Sequence, residues 1–355
     1  MKYIKNVNLF GSLTDVGIEE GKIVHIGKTD ACGTDMGGLR IYPGLIDIHT
    51  HGCIGYDTMD EENRFEEMSL FLAENGTTSW YPTTMTMASE DIIKATKKKT
   101  QGFAGANILG FHMEGPFINP KHKGAQSADH IFKPSIELFN KCDNVKMVTI
   151  APELPGSKSF IEECPAVISL GHSDADYETA KGAIRAGVRC LTHTFNAMPS
   201  IHHRAPGPIL AAVESESTYA QIIADGKHIH PAVLRMIVRL MGADRVILIS
   251  DSMRATGMPD GDYDLGGQHI TVKDGTALTD DGHLAGSTST LFDCVRFLIS
   301  VGISADDAFR MASENPAVLM GIEKGKIQVG YDADFIFVGD DFELKKVMIN
   351  GKFCE

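Results

Sequence analysis

Eight short apolar runs follow one another along the middle of the chain: LIDIHTH, TSWYPTT, ILGFHMEGP, VKMVTIAPE, VISLGHSD, CLTHTFNA, AQIIADGKH and VILISDS. Helical stretches separate them, and strand-then-helix order repeated in this way predicts an α/β chain built as a parallel, TIM-like (β/α)8 barrel. Such a barrel takes roughly 250 residues, which sets its span at 44–319. The remainder is β-rich at both ends: YIKNVNLFG and GKIVHIG near the start, GKIQVGYDADFIFVG and LKKVMINGKF near the close. Segments 1–43 and 320–355 are therefore expected to form one small β-sandwich module. The stretch GDYDLGGQHITVKDGTALTDDGH after the eighth run reads as inserted β-hairpins that border the barrel face.

Composition narrows the function. Lys and Arg number 33 against 47 Asp and Glu, a net charge of −14, which repels nucleic acid and anionic lipid in general. A small anionic substrate would need its own local clamp. Apolar residues make up 43%, and no stretch approaches the roughly 20 apolar residues of a membrane span. The start, MKYIKNVNLFGS, lacks the apolar run of a secretory signal. Seven cysteines, odd in number and without CxxC spacing, suit reduced thiols, so a cytoplasmic protein is expected. The charge run KATKKKT reads as a solvated helix end.

Chemistry-bearing side chains gather where the apolar runs end, which is the active face of such a barrel. In GLIDIHTHG, His49 and His51 stand two apart and share one side of an extended strand. Alone, this pair serves equally as metal ligands or as hydrogen-bonded histidines. Glu114 closes the third run in HMEGP, His172 the fifth in LGHSDA and His193 the sixth in THTFNAM. Five such residues at successive strand ends argue for a divalent metal with a position left open for water, zinc being the best match to imidazole and carboxylate ligands. Asp251, in ILISDSM, could cap the next helix, or move a proton as general acid and base beside an activated water.

The set HTH, HMEGPF, GHSDA, THTFNAM, ADGKH, SDS and LAGS, in this order, resembles the amidohydrolase superfamily and, within it, the N-acetylglucosamine-6-phosphate deacetylases. The resemblance covers nearly the whole chain. It implies hydrolysis of the acetamide of a phosphorylated amino sugar, with Glu114, His172 and His193 as principal metal ligands and Asp251 as general acid/base. It also implies that His49 and His51 complete a second metal position bridged by Glu114, so one or two ions per subunit, zinc foremost with iron or another divalent ion as alternatives. Asn196 and Ala197 match a turn that meets the sugar phosphate, His228 a sugar- or phosphate-contacting histidine, and Arg204 a phosphate clamp that in some members crosses a homodimer interface. Gln126 stands where some members carry a histidine that polarises the substrate carbonyl. His202 and His203 read as loop residues, and His112, His230 and His283 receive no role. The galactosamine analogue remains an alternative substrate. A cyclic-amide hydrolase is disfavoured because the fourth run ends VTIAPE without the bridging lysine of that group, and a scaffold that had lost activity would be expected to have lost ligands.

Overall fold

The computed structural model describes residues 1–354. Eight parallel strands make the barrel: β1 (Leu45–Thr50), β2 (Thr77–Thr84), β3 (Phe111–Glu114), β4 (Val145–Ile150), β5 (Val167–Leu170), β6 (Val188–Leu191), β7 (Tyr219–Ile223) and β8 (Val246–Ile249). Each pairs with its sequence neighbour from β1 to β8. Every residue of β1, β2 and β8 is buried, as parallel strands covered on both faces require. The eight runs read from the sequence are these eight strands.

Closure between β8 and β1 falls just beyond the strand ends. The Asp251 amide donates to the His49 carbonyl at 2.9 Å, and the His51 amide donates to the Ser252 carbonyl at 2.8 Å. Lower on the same seam the Asp47 carboxylate accepts the Ser250 hydroxyl at 2.5 Å and the Ser250 amide at 3.3 Å. Burial pushes the Asp47 carboxyl up to about 6 against these bonds. The C-terminal mouth of the barrel is thus closed by backbone bonds at His49, His51, Asp251 and Ser252.

One buried cluster joins Ile46, Ile48, Tyr81, Met147, Cys190, Ile223, Ile247 and Ile249, from six of the strands, and fills the barrel interior. Outside, amphipathic helices pack onto the sheet. The helix Pro231–Met241 buries Leu234, Ile237, Val238 and Met241, a spacing of three and four residues that makes one apolar stripe. The helix Leu291–Ser300 starts with a capping box between Thr290 and Asp293.

Strands from both ends of the chain share one sheet, in which Phe335–Val338 pairs antiparallel with Arg40–Pro43. It has its own core, with Ile4, Val7, Val16, Ile18 and Ile41 against Phe335, Phe337 and Met348. The insertion is a three-stranded antiparallel sheet of Gly261–Leu265, Gln268–Lys273 and Thr276–Thr279. In KATKKKT, Lys94, Lys97 and Lys99 are exposed, but Lys98 turns inward and donates to the Thr58 carbonyl at 2.8 Å. All seven cysteines are unpaired. Among the described residues no helix is long and apolar enough to cross a membrane.

Candidate active site

Five of the predicted ligands meet at the C-terminal mouth of the barrel. His49 lies in β1 and His51 one residue past it; Glu114 ends β3; His172 and His193 follow β5 and β6 by two residues. His172, His193 and Asp251 all hold positive φ, at 47°, 27° and 49°. Non-glycine residues seldom adopt that conformation, and each instance costs on the order of 1–3 kcal/mol. It turns the side chain back over the barrel axis at the point where the chain leaves the strand.

Glu114 is the centre. Its Oε1 stands 3.0 Å from His193 Nε2 and 3.2 Å from His172 Nε2, which are 3.1 Å from each other. On the other side His49 Nε2 lies 3.4 Å from Oε1 and His51 Nε2 3.2 Å from Oε2, with 3.3 Å between the two rings' nitrogens. Two potential metal-holding triplets therefore share one carboxylate: His49, His51 and Glu114, and Glu114, His172 and His193.

The proton inventory favours cations here. Nδ1 of His51 faces the Thr83 carbonyl at 3.2 Å and Nδ1 of His172 faces the His122 carbonyl at 2.8 Å. A carbonyl only accepts, so both rings carry hydrogen on Nδ1 and meet the carboxylates from Nε2. Ring nitrogens that converge on one carboxylate call for positive charge, either as protons on Nε2 or as a cation that the lone pairs share. The spacings also fit, because ligands about 2.0–2.1 Å from a tetrahedral zinc lie about 3.3 Å apart.

Asp251 Oδ1 stands 3.4 Å from both His49 Nε2 and His51 Nε2. Burial works to raise its pKa, but the charge of His49 and the hydrogen bond and charge of His51 outweigh burial and hold it below the ordinary carboxylate value. Glu114 likewise lies well below its ordinary value, burial being overcome by His49 and His172. His51 shifts the other way: burial opposes its charge, while Asp251 and Glu114 raise it. Asp251 caps no helix of the structure, since the chain after it runs through turns into the inserted sheet.

His51, Glu114, His172, His193 and Asp251 form the floor of a cavity of about 630 Å³. Asn196, Ala197 and His228 line it as expected. Asn196 donates from Nδ2 to the His193 carbonyl at 3.2 Å, and His228 donates from Nδ1 to Asp225 at 2.7 Å. One expectation changes. Gln126 lines the cavity, but its amide is committed: Nε2 donates to Glu114 Oε2 at 2.7 Å and Oε1 accepts from the Thr86 amide at 2.7 Å. In this arrangement it supports a ligand instead of facing a substrate carbonyl. Arg204 does not reach the cavity of its own chain; it is exposed on a loop and donates to His203 Nε2 at 2.7 Å.

Other contributors were passed over in the sequence. Lys123, in the segment after β3, and His283, after the inserted sheet, both line the cavity. His112 lies beneath it, donating from Nδ1 to the Ile48 carbonyl at 3.1 Å and meeting Thr149 Oγ1 at 2.8 Å. Burial holds the His112 ring well below its ordinary pKa. Glu153, in VTIAPE, takes the amide of Asp174 at 2.6 Å, the hydroxyl of Ser173 at 2.7 Å and the side-chain amide of Asn119 at 2.9 Å. It ties three loops together and holds none of the ligand positions. The register of polar residues at strand ends could have flagged His112 and Glu153; nothing local marks Lys123 or His283.

Comparison with known proteins agrees with this geometry. The profile of the Amidohydrolase family matches residues 40–354. N-acetylglucosamine-6-phosphate deacetylase of Bacillus subtilis (strain 168) is 39% identical over 88% of this chain and 84% of its own length. N-acetylgalactosamine-6-phosphate deacetylase of Escherichia coli O157:H7 is 31% identical over 95% of this chain and 93% of its own. Among solved structures, a mutant N-acetyl-D-glucosamine-6-phosphate deacetylase from Mycobacterium smegmatis, in complex with N-acetyl-D-glucosamine-6-phosphate, superposes with a TM-score of 0.92 at 29% identity, covering 99% of each chain. With the family profile over most of the chain, these identities and the fold in common, the chain belongs to the amidohydrolase family and, within it, to the N-acetylglucosamine-6-phosphate deacetylases.

Proposed function

We propose that this protein hydrolyses the acetamide of N-acetylglucosamine 6-phosphate to glucosamine 6-phosphate and acetate. The observation that carries the reading is Asp251 Oδ1 placed 3.4 Å from two histidines of a Glu114-centred ligand set on the cavity floor. We take the ions to be zinc at both triplets, because imidazole and carboxylate donors at tetrahedral spacing suit it. A divalent ion there supplies Lewis acidity, making water a nucleophile near neutral pH and stabilising negative charge on the carbonyl oxygen.

The chain's own residues do the rest. Asp251, ionised at neutral pH by its depressed pKa, accepts a proton from the attacking water. It then gives that proton to the departing amine, so the carboxylate is regenerated in each turnover. Gln126 keeps Glu114 oriented through its 2.7 Å bond. Asn196, Ala197 and His228 hold the sugar phosphate, His228 being able to donate to phosphate from Nε2 when charged while Asp225 steadies Nδ1.

Arg204, exposed and outside its own cavity, serves as a phosphate clamp only for a second copy. We therefore take the active form to be a homodimer, acting in the cytoplasm, where its unpaired thiols are stable. Mixing Arg204→Ala chains, impaired in affinity, with inactive Asp251→Asn chains tests the clamp: activity at low substrate above that of Arg204→Ala alone supports exchange across an interface, and no gain refutes it. The galactosamine analogue is the second reading, given the Escherichia coli relative. Release of free amine from each phosphorylated sugar, beside the unphosphorylated one and an Asp251→Asn control, decides the substrate. No turnover of the glucosamine compound by zinc-loaded protein would refute the assignment.

A further inference from the structure

Gln221 lies in β7 and is completely buried inside the barrel. Its side-chain oxygen stands 3.3 Å from the His193 amide nitrogen and 3.3 Å from His49 Nδ1. A backbone N–H only donates, so the first contact establishes which end of the carboxamide is the oxygen. The second contact then sets the ring: His49 carries its hydrogen on Nδ1 and turns a lone pair from Nε2 toward Glu114 and Asp251, each 3.4 Å away. At its other end the amide nitrogen meets only the Met147 sulfur, at 3.7 Å. A buried donor so weakly paired destabilises the fold, a penalty that leucine or methionine would avoid if the position served packing alone.

We infer that Gln221 is a positioning residue that sets the tautomer of His49 and the placement of His193 through one oxygen, and so couples the two ligand triplets that share Glu114. The inference rests on reading those triplets as two metal positions. It does not depend on the substrate. Replacing the partner of a ligand histidine commonly weakens metal binding about 10–100-fold.

The test is a zinc titration of chelator-stripped full-length protein against a chromophoric competitor, which reads stoichiometry and affinity without any sugar. Wild type is expected to take up two equivalents. Gln221→Met, similar in shape but without the acceptor, should weaken at least one position about 10–100-fold, whereas Gln221→Glu, which keeps an oxygen there, should stay within about threefold. A Met variant that matches wild type, a Glu variant as weak as Met, or a wild type that takes up a single equivalent would each overturn the inference. Should the Met variant not fold, the 15N shifts of His49 in wild type and Gln221→Glu decide: the Nδ1–H tautomer supports the role and the Nε2–H tautomer refutes it. A protein that binds zinc in the expected pattern yet leaves N-acetylglucosamine 6-phosphate untouched would keep this inference and sink only the substrate assignment.

Discussion

Arg254 should be worth more to this fold than a partly exposed arginine ordinarily is. It sits just past β8 and reaches Asp60 Oδ1 at 2.9 Å, Asp264 Oδ1 at 3.6 Å and Asp57 Oδ2 at 3.9 Å. Asp60 and Asp264 are partly solvated, so their contribution is small. Asp57 is different: it is fully buried, and Oδ2 has no hydrogen-bond partner. Burial raises its pKa, and Arg254 is the strongest influence opposing that rise. Two unit charges at this separation attract by about 4 kcal/mol at an effective dielectric near 20, an upper limit for the net effect. Arg254→Met relieves the arginine's own desolvation but leaves the carboxylate stranded, so a loss of about 2–4 kcal/mol is expected in urea unfolding at pH 7. Asp57→Asn in the Met background should restore more than half of it. The sign with pH follows from linkage. Without the arginine, the folded pKa of Asp57 moves further above its unfolded value of about 3.9, the folded state binds the proton more tightly, and stability falls as pH rises through that window. The deficit should therefore shrink toward pH 4.5. A loss below about 1 kcal/mol, or one that neither responds to pH nor is rescued by Asp57→Asn, would refute the reasoning.

Three further outcomes are expected. Asp251→Asn should lower kcat about 10²–10⁴-fold while zinc content by elemental analysis stays at the wild-type level, since the proton carrier is lost and the ligands are not. Arg204→Ala should raise KM for the phosphorylated sugar about 10–100-fold, the worth of one or two charge-assisted hydrogen bonds, and leave turnover of the unphosphorylated sugar unchanged. Chelation should abolish activity and lower the melting temperature, both restored by zinc, with about 4 kcal/mol of stabilisation when free metal is about a thousandfold above its dissociation constant. A melting temperature indifferent to zinc would count against the metal centre.

The barrel was legible because a parallel strand buried on both faces must be a short, nearly unbroken apolar run, and eight such runs leave little choice of architecture. The ligand set was legible for a related reason: a charged or imidazole side chain directly after Ile–Ser–Leu–Gly or Cys–Leu–Thr has no packing purpose. Roles that depend on a second residue far along the chain were not legible. Gln126 departs from the histidine of some family members and its sequence position alone points toward a substrate carbonyl, whereas its amide is held between Glu114 and the Thr86 amide. Gln221 reads as one polar residue in a strand, because its partners His193 and His49 lie 28 and 172 residues away along the chain. Arg204 could be assigned to phosphate by pattern, but which chain's phosphate is a matter of loop placement that spacing does not encode.

Beneath the ligands the barrel interior is not uniformly apolar, and this bears on how the site keeps its shape. His112 Nε2 meets Thr149 Oγ1 at 2.8 Å, Thr149 meets Thr192 Oγ1 at 2.8 Å, and Thr192 meets Ser169 Oγ at 2.6 Å. This chain of hydroxyls runs across β3, β4, the end of β6 and β5, one layer below the Glu114-centred cluster. Glu114 lies two residues beyond His112, and His193 one residue beyond Thr192. The height of each ligand above the floor is thus set by strand register and cross-strand bonds, and the left-handed backbone of His172, His193 and Asp251 is imposed by that rigid base. Strain of this kind persists only where the surroundings over-determine it. It follows that the relative placement of Glu114, His172, His193 and Asp251 is fixed by the barrel itself, through strand register and the bonds beneath, which is the preorganisation that a precise site requires.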